Sequence, residues 1–381
     1  MLYVVFAEFI LYICFSVLIG SLILFIVPED KKPLILIPKK ILVLAVGLIP
    51  VAAFFPVFQT ASILAANMDL AFVLKNVIFT FEIGKSWLFI TIVSVILMIV
   101  LLRKNSTEKR HLLVWALVLS LLMLVGYTRS SHAATITEWQ GFIFQTLHFL
   151  SVVVWIGILF IVSWFAKNKT NWLAFLRWFT PVALTCLTIT IVAGYFIMKF
   201  DINSYDAPDA SIVQDYQNSL LVNYGQSLLV KHIFILSLVL FALTNGFLFR
   251  RKYGQESYNP LKWARLESVY ALIVFGLTAF MGQSWPPHQI YSLLKTEGAS
   301  PLFKAVYDGE ILNRYQQAES NTVLNVTMTL GVDSFVLFGL AIIFLAVTLF
   351  AATIRKSVFV STFASLLMIL AIYLGIMVGI R

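Results

Sequence analysis

Charge is what this sequence has least of. Of 381 residues only 18 are acidic and 27 basic, 12% in all, against 60% hydrophobic. The mean hydropathy of +0.93 lies well outside the range of soluble domains, so the chain reads as a polytopic membrane protein. Cysteine is nearly absent as well. Cys14 and Cys186 stand alone in separate apolar runs, which excludes a disulfide framework and a CxxC redox or zinc motif. Each reads as a small buried hydrophobe. A Gly-rich phosphate loop, a Gly-Lys-Ser/Thr signature, a His-Glu-x-x-His motif and a Ser-His-Asp arrangement are also missing, which weighs against an ATP-driven pump and against hydrolases. No Gly- or Ser-rich linker, usable repeat or soluble domain breaks the chain.

What the chain has instead is long apolar runs. A span needs about 20 mainly apolar residues, and about ten stretches qualify, near 4–27, 41–65, 82–102, 112–128, 139–166, 172–199, 228–250, 264–283, 331–354 and 357–380. The expected fold is all-α, a polytopic transmembrane helix bundle. Residues 1–283 form its core of about eight helices, 284–330 an extracytoplasmic loop with room for an interfacial helix around Ser292 to Tyr315, and 331–381 two additional helices. Pro50, Pro56 and Pro181 fall inside spans and predict kinks, since each removes a backbone donor. The N-terminus has no basic n-region and no Ala-x-Ala-like cleavage site, so residues 1–27 are expected to be a retained span rather than a signal peptide.

The net charge of +9 would suggest nucleic acid in a soluble protein. Here the basic residues lie in short loops, where they read as topology signals, and no nucleic-acid role is assigned. One alternate set of loops holds Lys31, Lys32, Lys39 and Lys40; Arg103, Lys104, Lys109 and Arg110; Lys167, Lys169 and Arg177; Arg250, Arg251, Lys252, Lys262 and Arg265; and Arg355 and Lys356. It carries about twice the Lys and Arg of the other set and is therefore assigned to the cytoplasm. Both termini and the loops near 66–81, 200–227 and 284–330 then face outward. The loop from Asp201 to Gln226 carries four Asp and no Lys or Arg. It either concentrates cations outside or is a solvated loop.

On this topology four of the five histidines lean outward. His132 falls in the turn after the fourth span, His148 about nine residues into the fifth, His232 in the first turn of the seventh and His288 just past the eighth, whereas His111 lies on the cytoplasmic side. An imidazole in hydrocarbon is costly and is by default a hypothesis about function. His148, Ser151 and Trp155 stand at i, i+3 and i+7 along one helix face, and Gly157 allows close approach of a neighbouring helix. This stripe fits either a hydrogen-bonded interior histidine or a ligand. Met123, Met198, Met281 and Met328 also lie toward outer helix ends. Imidazole with thioether suits copper, Cu(I) in particular, whereas hard cations call for clustered carboxylates. Any single Met also fits plain core packing. Trp285-Pro286-Pro287-His288 ends the eighth span, and two prolines stiffen the exit that holds His288.

Four ordered landmarks then carry a resemblance: Ser-Ser-His-Ala-Ala at 130–134, Leu-His-Phe-Leu-Ser-Val-Val-Val-Trp-Ile-Gly at 147–157, Asn-Tyr-Gly-Gln-Ser-Leu-Leu-Val-Lys at 223–231, and Arg-Leu-Glu at 265–267 leading to Trp-Pro-Pro at 285–287. Over roughly residues 80–290 the chain resembles the copper resistance protein D (CopD) family. The resemblance implies a multi-pass protein of the bacterial cytoplasmic (inner) membrane that serves copper uptake or homeostasis. It also implies a CopC-like extracytoplasmic copper donor, which would be a separate protein because no such domain is fused here. The landmarks include His132, His148, Trp155, Gly157, Tyr224, Gly225, Lys231, Arg265, Glu267, Pro286 and Pro287, but not His232.

The leading expectation is a copper transport protein, not an enzyme, with His132 and His148 as first ligands and His288, Met281 and His232 as supporting ones. An alternative from another class is a b-type haem electron carrier with His148 and His232 as axial ligands. A third is an assembly partner for a copper enzyme. The topology underlies the leading expectation and is directly testable: reporter fusions after Lys104 and Asp209 are expected to report cytoplasm and exterior respectively, and an outward Lys104 would overturn the shared outer layer of histidines.

Overall fold

The computed structural model describes residues 2–66, 68–203, 210–246, 259–307, 311, 326–355 and 357–380. Ten helices among them are long and apolar enough to cross a membrane: α1 (Leu2–Ile26), α2 (Lys39–Leu64), α4 (Glu82–Leu102), α5 (Arg110–Arg129), α7 (Trp139–Phe165), α8 (Trp172–Ile202), α10 (Asn223–Gly246), α11 (Pro260–Gly282), α14 (Val332–Phe350, continued as a π turn to Arg355) and α15 (Val358–Met377). The expected spans are all present, and no strand occurs among the described residues. Of the basic residues used for topology, Arg250, Arg251, Lys252 and Lys356 lie outside the described residues, as do Asp206 and Asp209.

The short helices show where order lay in stretches too short or too polar to be read as spans. The loop expected near 66–81 contains α3 (Leu70–Thr80), started by Asp69, whose carboxylate accepts from Phe72 N at 3.0 Å. His132, expected in a turn, is instead the first residue of α6 (His132–Thr137), because Ser131 caps it by accepting from Ala134 N. Ser211 starts α9 (Ile212–Ser219) in the same manner. Side-chain oxygens at these N-caps replace intrahelical acceptors that the first turn lacks. The segment after α11 carries α12 (Ile290–Thr296) and α13 (Pro301–Val306).

By contact the chain forms two compact units, Met1–Phe200 with Tyr253–Ser268 and Asp201–Lys252 with Val269–Arg381. In the first, α1 is central and packs on α2, α5 and α7. Its crossing with α7 is set by Gly20 and Gly157: a Cβ on either would run into backbone of the other helix. Association of apolar helices in lipid depends on such close approach, so the close neighbour expected at Gly157 is α1. Cys14 and Cys186 are free and buried here. Lys32 donates to Leu24 O at the end of α1 at 2.6 Å, and Lys39 to Arg103 O at the end of α4 at 2.8 Å. These lysines thus also satisfy carbonyls and charge at helix C-termini.

In the second unit α14 and α15 pack together, and α15 packs on α10. The join is polar: Tyr373 donates its hydroxyl to Gln226 Oε1 at 2.7 Å, and Tyr270 meets Ser365 Oγ at 3.1 Å. This explains why α10 begins at Asn223, before the apolar run expected from 228: its polar first turn is satisfied by protein groups. The two C-terminal helices, which carry no functional motif, complete the packing around α10. Exposed Phe335, Ile342 and Phe359 on their outer faces suit contact with lipid, where apolar exposure carries no penalty.

Pro50 shows how a broken backbone bond is mended inside hydrocarbon. Proline has no N–H, so Val46 O loses its partner four residues ahead. Ser94 of α4 donates its hydroxyl to that carbonyl at 2.8 Å, and Trp87 Nε1 reaches Pro50 O at 3.0 Å. Ser94→Ala is expected to cost about 1–2 kcal/mol of stability. In a Pro50→Ala background, where the substituted residue restores the N–H, the cost should largely vanish. Thermal unfolding of the four proteins in detergent checks this cycle, and equal costs in both backgrounds would refute it.

Candidate functional site

The candidate residues fall into two sets. In the first unit, His148 is half-buried on α7, and its Nδ1 lies 3.0 Å from Thr190 O on α8. A carbonyl only accepts, so Nδ1 carries the proton, and in the neutral ring Nε2 carries the lone pair. Gly194 permits this: a Cβ there would stand 3.1 Å from His148 Cε1 and 3.2 Å from Nδ1, crowding the ring out of place. Ser151 and Trp155, on the expected stripe, are buried with 5% exposure each, so the stripe runs from a half-open histidine into the interior.

His132 is exposed on α6, and its carbonyl accepts from Thr135 Oγ1 at 2.7 Å. The chain passes from α6 into α7 through Glu138 at φ 48°, a left-handed conformation that strains a residue with a Cβ. Just before α6, Arg129 stands 5.8 Å from the ring centroids of both Trp139 and Phe142, with Glu82 at 3.8 Å from its Nε. The end of α5, just before the helix that carries His132, is therefore tied to the start of α7 by cation–π contact. Arg265 and Glu267 also lie in this unit. Arg265 donates Nε–H to Ser163 O at 2.9 Å and covers the Trp164 ring at 5.7 Å, while Glu267 is buried at 4% exposure.

The second unit holds the other three candidates. His288 sits in a 3₁₀ turn, Pro287–Gln289, directly after Pro286. Its Nδ1 is 2.8 Å from Asn203 O, so it shares the Nδ1–H form of His148. His232 is exposed on α10 and stacks on Tyr216 at 6.1 Å between ring centroids, with Nδ1 at 3.2 Å from the phenol oxygen. Burial holds the Tyr216 phenol well above its ordinary pKa, so it stays a neutral donor or acceptor for that imidazole. Met281, at the end of α11, accepts from the Lys231 ammonium at 3.6 Å through its Sδ.

Lys231 leads to a group that sequence reading did not assemble. Asp201, at the end of α8 and 7% exposed, accepts from the Tyr224 hydroxyl at 2.9 Å through Oδ2. Lys231 and His288 both lie within the electrostatic reach of its carboxylate. The signal was present: Lys231 is the one charged side chain in the 24 residues of α10, and an ionisable group inside a span is a functional candidate by default.

Among the described residues, no three His, Cys, Asp or Glu side chains gather closely enough to hold a metal ion. The donors at hand are single imidazoles with a fixed tautomer, one thioether and one buried carboxylate. Nδ1–H held by a backbone carbonyl is the usual outer-sphere support of a metal-ligating histidine, because it orients the ring and raises the basicity of Nε2. Imidazole-selective ¹⁵N NMR is expected to find neutral His148 and His288 protonated at Nδ1. An Nε2–H signal for either would remove this support.

Comparison with known families bears on what these donors serve. Residues 1–142 match the family model described as copper resistance protein D-like, N-terminal domain, and residues 173–281 the one described as copper resistance protein D. The landmark at 147–157 lies between these matches. No curated protein and no solved structure matches the chain.

Proposed function

The chain belongs to the copper resistance protein D family, and from that premise we propose that it takes up copper at an outward-facing site of histidine and methionine side chains and passes it across the membrane. Membership assigns it a part in copper resistance or transport, and the ten long apolar helices among its described residues make it a multi-pass membrane protein. The observation that carries the finer reading is the shared state of His148 and His288, each with Nδ1 on a backbone carbonyl. Such rings present Nε2 as a donor, and together with the Met281 thioether they are donors suited to soft Cu(I).

Copper is the cargo in this reading. In the first unit exposed His132 would meet the ion before half-buried His148, and in the second exposed His232 before half-buried His288. A few donors at each step suit a carrier, which must release what it binds. The termini and the candidate histidines would face the outside of a bacterial cytoplasmic membrane, where a separate CopC-like protein would deliver the ion. For the haem alternative, His148 and His232 would have to be axial ligands, and no observation favours that pairing over the hydrogen bonds and stacking they make.

Cu(I) titration of the purified protein against a chromogenic chelator tests the proposal. His148→Ala and His288→Ala should each weaken binding by more than about tenfold, and Gly194→Ala, which displaces the ring of His148 without touching its chemistry, by about tenfold. Unchanged copper stoichiometry and affinity in the His148→Ala/His288→Ala double variant would refute it. Soret and alpha bands in the dithionite-reduced protein would replace it with the haem reading.

A further inference from the structure

We propose that the Lys231 ammonium is a tethered stand-in for the cargo, resting on a copper ligand and leaving when copper arrives. The inference rests on the reading of Met281 as a ligand and adds the regulation of that site. Three observations within the second unit carry it. The Met281 thioether, a soft donor, holds the Lys231 ammonium at 3.6 Å. The counter-charge is Asp201, whose field covers both Lys231 and His288. Asp201 itself is half engaged: Oδ2 accepts from Tyr224 at 2.9 Å, while its buried Oδ1 has no hydrogen-bond partner among the described residues.

A thioether is a weak hydrogen-bond acceptor. Lys231 therefore does not sit there for the strength of that contact. It sits, part-buried, where a carboxylate has produced a favourable place for one positive charge. Two cations cannot share that place, since like charges a few ångströms apart repel strongly outside bulk water. Copper entering between Met281 and Asp201 must displace the ammonium, and the four-carbon stem of lysine permits the swing. Displacement exchanges one positive charge for another, so the site remains electrically balanced whether empty or loaded. The lysine thereby sets a threshold: a metal that binds the thioether weakly does not dislodge it, whereas soft Cu(I) does.

The test uses the full-length protein in detergent, with Cu(I), and Ag⁺ as a soft ion without redox chemistry. Lys231→Gln removes the competing charge and should tighten Cu(I) binding at least about tenfold, whereas Lys231→Arg, which keeps the charge, should not. In the wild-type chain, acylation of Lys231 by an amine reagent, followed by mass spectrometry, should rise on addition of Ag⁺. This second measurement needs no variant to fold. Equal or weaker Cu(I) binding by Lys231→Gln, with Met281→Leu still weakening it, would overturn the stand-in and leave the copper site intact. Indifference of binding to Lys231→Gln, Met281→Leu and His288→Ala together would overturn the copper site as well. Labelling that falls or stays level with Ag⁺ would overturn the displacement.

Discussion

Within hydrocarbon no water is available to receive a stray N–H or C=O, so each backbone polar group of the spans has to be satisfied by the chain itself. The helices follow from that requirement, and so do the departures from regularity. Where Pro50 withdraws a donor, Ser94 supplies one from a neighbouring helix. Where α1 and α4 end with open carbonyls, Lys32 and Lys39 close them. Hydroxyls along the spans return to their own helix, as Thr60, Thr91, Ser120 and Thr188 do. With hydrophobic attraction weak between helices in lipid, close contact through Gly20 and Gly157 and polar joins such as Tyr373 to Gln226 supply the specificity.

The same requirement gives the candidate site its character. A histidine on a lipid-spanning helix is tolerable when one ring nitrogen donates to a carbonyl, and the bond that makes His148 tolerable also leaves the lone pair of the neutral ring on its other nitrogen. His288 reaches the same state from a proline-stiffened turn and a different carbonyl. Satisfying the ring and fixing its tautomer are one structural act. Asp201, Tyr224, Lys231 and Met281 follow the same logic with charge, a carboxylate and an ammonium retained near the membrane because each stabilises the other.

Much of this was legible from residue order. The apolar runs specified ten spans, since hydrocarbon thickness sets a length that the sequence either meets or does not. Gly157 announced a close neighbour, and the landmarks around His132, His148, Tyr224 and Lys231 indicated the family. Less legible were the short helices: α3, apolar but too short to span, and α6 and α9, which resemble loops until the capping bonds of Ser131 and Ser211 are seen. The early start of α10 was hidden by its polarity, because Asn223 to Ser227 look unsuited to a span without their partners.

The sequence by itself determined that the protein is a multi-pass membrane protein, where its long apolar helices lie, and which few polar residues they contain, because transfer free energies depend on side-chain chemistry and run length alone. Tertiary structure decided what those polar residues do. The partner of Gly157, the carbonyls that select the tautomers of His148 and His288, the hydroxyl that repairs Pro50 and the meeting of Lys231 with Met281 all join residues far apart in the chain. Hydrogen bonds and ion contacts act over a few ångströms, and only the fold brings such residues that close.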